Sequence, residues 1–197
     1  MLVYPNIDPI LLSLGPLHIR WYGLAYLAGV LLPFLVFKRD YRQRLNMSLD
    51  DIFNYISYLI IGIIIGGRIG YVLFYDFIEF LRAPYLIIAI WKGGMSYHGG
   101  AIGSIVSTIL FAKRYHLNKL MLLDLLAIGS TIGIFLGRIA NFINGELFGR
   151  VTTSPLGMVF PMGGPLPRHP SQLYESFAEG LLLFLILWVV RKYWAPR

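Results

Sequence analysis

The sequence predicts an all-α polytopic membrane protein, with about five transmembrane helices and a long outer loop between the fourth and fifth. Three observations carry that prediction. Only 14% of the 197 residues are charged and 57% are hydrophobic, whereas a soluble domain carries roughly a quarter charged residues. The apolar residues come in continuous blocks rather than at amphipathic spacing, and a block of about 20, rising about 1.5 Å per residue, crosses a bilayer core. The Lys and Arg residues gather in the short segments between blocks, where topology rather than a ligand places them.

The first block runs from Leu17 to Phe37, the second from Ile52 to Tyr75, the third from Tyr85 to Ala112. The fourth covers Leu120 to Phe142 and the last Leu173 to Val190. Residues 1–197 are expected to form one integral membrane domain. Residues 144–172, polar and rich in Gly and Pro, make its outer loop. Positive charge sets the orientation. Lys38, Arg39, Arg42, Arg44, Lys113, Arg114, Lys119, Arg191, Lys192 and Arg197 fall on one side, ten of the 17 basic residues, and that side is expected to be cytoplasmic. Arg82, Arg150 and Arg168 fall on the other, with Lys92 near it. The N-terminus is then outside and the C-terminus inside. Residues 1–16 hold Pro5, Asp8, Pro9 and Pro16 without a basic start, unlike a cleavable leader.

The net charge of +7 does not point to nucleic acid, because no basic face interleaved with aromatics is present. With no Cys, the chain has no thiolate nucleophile and no Cys-based metal site. The four histidines lack metal-ligand spacing, so neither metal nor cofactor is expected. Gly62, Gly66 and Gly70 recur every four residues, as do Gly129, Gly133 and Gly137. Such stripes let helix backbones approach closely in lipid.

Ionisable groups inside spans face cavities or partners, which singles out Arg68, His98 and Arg138. Gly67-Arg-Ile-Gly70 and Gly137-Arg-Ile-Ala140 are alike, a hint of a parallel repeat resting on four residues. Arg138 belongs to the densest polar run, with Asn141 one turn on and Asn144, Glu146, Gly149 and Arg150 following. A guanidinium beside amide donors suits a phosphodiester, since its planar fork pairs two phosphate oxygens. The alternative is an Arg that snorkels to the interface and pairs with Glu146. His98 lies between Gly93-Gly94 and Gly99-Gly100, flexible backbone that would leave the imidazole accessible as a general acid or base; a structural His bonded to a carbonyl is the other reading. Arg168, His169, Gln172 and Tyr174 open the last helix, where Ser171 reads as its N-cap and Glu175 as an early-turn acid.

Trp21-Tyr-Gly23, Gly66–Tyr71, Gly94-Met-Ser-Tyr-His-Gly-Gly100, Gly137–Arg150 and His169–Glu175 stand in the order found in prolipoprotein diacylglyceryl transferases. The chain resembles that family over nearly its whole length. The resemblance implies a bacterial inner-membrane enzyme that moves the diacylglyceryl group of phosphatidylglycerol to the lipobox cysteine of a preprolipoprotein signal peptide. A thioether forms and glycerol 1-phosphate leaves. By position, His98 matches the family's essential His and Arg138 its phosphatidylglycerol-binding Arg. Tyr22, Asn141, Glu146 and Gly149 match other functional positions, and Arg68, Gly99, Gly100, Asn144, Arg150, His169, Gln172 and Tyr174 complete the expected substrate-binding set. Family members generally continue beyond the fifth helix into a second arginine-rich motif, and the sequence ending at Arg197 holds none. A phospholipid-binding or lipid-transport protein without catalysis would use Arg138 and the Gly stripes equally well, and His98 discriminates the two.

Overall fold

A computed structural model describes residues 2–15 and 17–194. Pro16 and Arg197, both used in the topology reading above, lie outside the described residues. The chain is mostly helical and divides into two compact units: Met1–Val36 with Leu126–Arg197, and Phe37–Leu125.

In the second unit, α2 (Leu49–Tyr75) opens on a capping box. The Ser48 hydroxyl accepts from the Asp51 amide at 3.1 Å, and the Asp51 carboxylate accepts from the Ser48 amide at 2.8 Å. After α3 (Phe77–Arg82) come two short 3₁₀ turns, Pro84–Ile87 and Ile90–Lys92, and then α4 (Tyr97–Arg114). This corrects the third predicted helix, Tyr85 to Ala112. Gly93 and Gly94 adopt φ of 79° and 80°, left-handed backbone that ends the apolar run before α4 starts on its Ser96 cap. Helices α2 and α4 pack through glycine. A methyl on Gly66 or Gly103 would enter the backbone of the facing helix, and one on Gly70 would stand 2.9 Å from the Gly99 Cα. At their other end Tyr55 is fully buried, with its hydroxyl 2.9 Å from Thr108 Oγ1 and its ring 4.9 Å from that of Phe111.

In the first unit, the chain starts as a hairpin, β1 (Ile10–Leu14) antiparallel to β2 (Leu17–Arg20). Ser13 faces His18, and an irregularity lies between Ile10 and Leu12. The first helix α1 (Trp21–Val36) is therefore shorter than the predicted Leu17 to Phe37. Leu17-His-Ile-Arg20 alternates apolar and polar residues, the period of a strand, and pairs with β1 instead of extending the helix, so the chain is not purely α. Helix α5 (Lys119–Asn144) crosses from one unit into the other. Its Gly133 lies against Gly29 of α1, where an added methyl on Gly29 would stand 2.9 Å from the Gly133 Cα. Gly129 meets Pro33 in the same way. The last helix begins as α6 (Ser171–Glu175), widens into a π-helical turn, Ser176–Leu182, and continues as α7 (Leu183–Trp194).

Among the described residues, three helices are long and apolar enough to cross a membrane: Leu49–Tyr75, Lys119–Asn144 and Ser171–Arg191. Trp21–Val36 is a shorter apolar helix. Large side chains such as Ile61, Ile65 and Phe74 on α2 are exposed, as expected where the surroundings are hydrocarbon.

Candidate active site

The loop between α5 and α6 has a core of its own. Phe142, Met158 and Phe160 are buried, with Tyr4, Phe148 and Leu173 packed on them. Isolated bridges tie Val151 and Met158 to Arg168, and Leu2 to Met158. The Arg168 guanidinium donates to the Gly163 carbonyl at 2.9 Å and lies 5.1 Å from the Phe148 ring centre. Arg168 thus braces the loop.

Helix α5 ends on a Schellman turn. Gly145, at φ 67°, donates to the Phe142 carbonyl at 3.0 Å, and Glu146 donates to that of Asn141 at 3.1 Å. The Tyr4 hydroxyl lies 2.8 Å from the Phe142 carbonyl, which it shares with the Gly145 amide, and 3.1 Å from that of Ile143. Burial raises the pKa of that phenol, so it stays a donor. The turn folds Glu146 back over the helix. Asn141 and Asn144 both donate to its Oε1 at 3.0 Å, and the fully buried Gln172 donates to its backbone carbonyl at 2.5 Å. The Asn144 and Gln172 side-chain carbonyls, both buried, have no hydrogen-bond partner among the described residues. Tyr22, at the start of α1, stands close enough for Asn141 and Glu146 to act on its hydroxyl, and that hydroxyl is 3.0 Å from the one on Tyr26.

Arg138 does not pair with Glu146. Its Nη2 lies 2.6 Å from Oε2 of Glu175, and both side chains are about a third exposed, at 31% each. Glu175, expected from the sequence as an early-turn acid, is thus the partner of Arg138, and its sequence signal is a carboxylate closing the polar segment from Arg168 to Tyr174. Nor is Ser171 the N-cap. Pro170 holds that position, and the Ser171 hydroxyl donates to the Leu147 carbonyl at 3.1 Å. Gly149 lies against His169, where a methyl would stand 3.0 Å from the His169 Cβ. The His169 Nδ1 is 3.3 Å from the Tyr174 hydroxyl. Arg150 is exposed at the loop surface. Asn141, Asn144, Glu146, Gln172 and Tyr22 thus form one cluster. Arg138 precedes Asn141 by three residues on α5 and is paired with Glu175, and Gly149, His169 and Tyr174 follow along the chain.

His98 belongs to the second unit, in the first turn of α4. It is exposed, its ring meets that of Tyr97 edge-on at 5.7 Å, and it makes no hydrogen bond among the described residues. Gly99 does not loosen the backbone beside it as the sequence reading expected; it is buried inside the helix, against Gly66 and Gly70. Arg68 is 3% exposed and wholly engaged. Its Nε and Nη2 donate to the Leu86 carbonyl at 3.1 and 2.5 Å, and its Nη1 to those of Gly93 and Gly94 at 2.5 and 3.1 Å. Arg68 therefore holds the connector that delivers His98 to the start of α4.

Comparison with known proteins places these features in a family. The family model for prolipoprotein diacylglyceryl transferase matches residues 9–197. A Coxiella burnetii protein (strain RSA 331 / Henzerling II) is 48% identical over 198 residues, covering 100% of this chain and 76% of its own length. One from Rickettsia africae (strain ESF-5) is 49% identical over 190 residues, covering 94% of this chain and 72% of its own. Both are named phosphatidylglycerol–prolipoprotein diacylglyceryl transferase. This chain belongs to the prolipoprotein diacylglyceryl transferase family.

Proposed function

We propose that this chain transfers the diacylglyceryl group of phosphatidylglycerol to the lipobox cysteine of a preprolipoprotein signal peptide. The observation that carries the reading is Arg138, held by Glu175 one turn before the Asn141, Asn144 and Glu146 cluster at the loop end of a long apolar helix, in a chain of this family.

The chemistry follows from these groups. A thiol of ordinary pKa, about 8.5, attacks carbon as its thiolate, and His98 accepts the proton. Sulfur then bonds to the glycerol carbon that carried the phosphate. The carbon–oxygen bond breaks with its electron pair on the phosphate oxygen, and glycerol 1-phosphate leaves. The phosphate passes from one negative charge to two, and Arg138 stabilises the increment. Asn141 and Asn144 orient Glu146, and Tyr22 closes the other side of that cluster. Gly149, Arg150, His169 and Tyr174 shape the substrate side of the loop, and Gln172 acts from beneath it through the Glu146 carbonyl. Gly100 lies beside His98, and Gly99 acts indirectly, by seating the start of α4 against α2. Arg68 acts through the connector it holds.

The same reading supplies the topology. One integral membrane domain spans the bacterial inner membrane five times, through α1, α2, α4, α5 and the helix from Ser171. The N-terminus and the loop after α5 lie outside and the C-terminus inside. The basic residues after α1 and α4 support that assignment.

Variants of purified protein test the roles. In an assay with labelled phosphatidylglycerol and a lipobox peptide, Arg138→Ala should weaken lipid binding and lower transfer about 100-fold or more. His98→Gln should lower transfer by about 100-fold with lipid binding unchanged. Lipid binding that weakens in Arg138→Ala, with no transfer by the parent, would make the protein a phospholipid binder instead.

A further inference from the structure

Glu175 has no role in the chemistry above, yet among the described residues it is the carboxylate that reaches Arg138, 2.6 Å from Nη2. The pair is built into the fold. Ser176, next in sequence, donates from its hydroxyl to the Phe135 carbonyl of α5 at 3.1 Å. Gly180, one turn on, lies so close to α5 that a methyl there would stand 2.6 Å from the Phe135 Cβ. Phe135 and Arg138 are three residues apart and share a face of α5. Both contacts therefore fix the Glu175 backbone beside the helix that carries Arg138. The π-helical turn begins at Ser176, immediately after Glu175, and such turns often mark functional positions. The ion contact engages Nη2, which leaves Nε and Nη1 of the fork to a second anion.

We infer that Glu175 is a positioning and release residue: its carboxylate holds the Arg138 guanidinium between turnovers and competes with the phosphate for it. The inference rests on the transferase reading. There, the phosphate gains a negative charge as it leaves, so an unopposed guanidinium would grip the product monoester more tightly than the substrate diester. A carboxylate already at contact distance opposes that grip, and re-pairing with Arg138 expels the product.

Glycerol 1-phosphate is the probe, titrated calorimetrically into the full chain in detergent micelles, with product inhibition of transfer measured in parallel. Glu175→Gln keeps the shape and removes the charge, and should tighten glycerol 1-phosphate binding about five-fold. Product inhibition should strengthen in proportion. Glu175→Asp keeps the charge but loosens the contact, and should tighten binding by a smaller factor. That variant serves if the Gln form does not fold. Adding Arg138→Ala to Glu175→Gln should abolish the tightening. Unchanged or weaker binding in a folded Gln or Asp variant would overturn the inference, as would tightening that survives loss of Arg138. The titration needs no turnover. A parent that makes no thioether while Glu175→Gln still tightens binding would sink the transferase reading and leave the Glu175–Arg138 competition standing.

Discussion

Arg68 and Arg138 occupy the same place in two Gly-Arg-Ile segments, and the structure gives them opposite surroundings. Arg68 is buried, with its guanidinium on three connector carbonyls and 5.6 Å from the Tyr71 ring centre. Arg138 is partly exposed against one carboxylate. Arg68→Ala would leave the Leu86, Gly93 and Gly94 carbonyls without their charged donor, at a cost of about 3 kcal/mol. Thermal unfolding and limited proteolysis within 84–94 should both register it. Arg138→Ala should cost under about 1 kcal/mol, as partly exposed ion pairs do, with its effect confined to binding and transfer. Equal destabilisation by the two variants would contradict the division. Tyr4→Phe removes the donor from the end of α5 and should cost about 1 kcal/mol. None of this was legible in the local sequence. The tetrapeptides are nearly identical, and what separates them is a partner 18 to 37 residues away. The gathering of Asn141, Asn144 and Glu146 after Arg138 was legible because they are near neighbours at one helix end.

At the scale of elements, glycine does different things at similar spacing. Gly62, Gly66 and Gly70 face Gly99, Gly103 and Ser107 with no space for a methyl, so the stripe sets the distance between α2 and α4. Gly66→Ala should destabilise the protein by about 1–3 kcal/mol through overpacking. Gly137, at the end of the matching stripe, would meet nothing within 4 Å among the described residues. Gly137→Ala should instead stabilise α5 by about 0.5–1 kcal/mol from helix propensity. Unfolding of both variants in the same detergent checks the contrast, and a stable Gly66→Ala would refute the packing account. Long apolar blocks placed α2 and α5 within a few residues of where they lie. The third block failed because hydropathy is blind to backbone handedness: Gly93 and Gly94 turn the chain inside a run apolar enough to read through. The hairpin at 10–20 was missed because Leu17-His-Ile-Arg20, which alternates apolar and polar residues as a strand does, is only four residues long and abuts a long apolar block.

At the scale of the whole molecule, the account predicts an orientation. The chain has no Cys, so Arg42→Cys and Met162→Cys each give a single thiol. Arg42 and Met162 are exposed. A membrane-impermeant maleimide should label Met162→Cys in intact spheroplasts, and Arg42→Cys only after permeabilisation; the reverse pattern would invert the topology. The central claim is the transfer itself. Its most direct test is mass spectrometry of a lipobox peptide incubated with the purified parent chain and phosphatidylglycerol. The account predicts a diacylglyceryl thioether on the cysteine and an equal amount of glycerol 1-phosphate in solution. An unmodified peptide with phosphatidylglycerol still bound to the protein would contradict it.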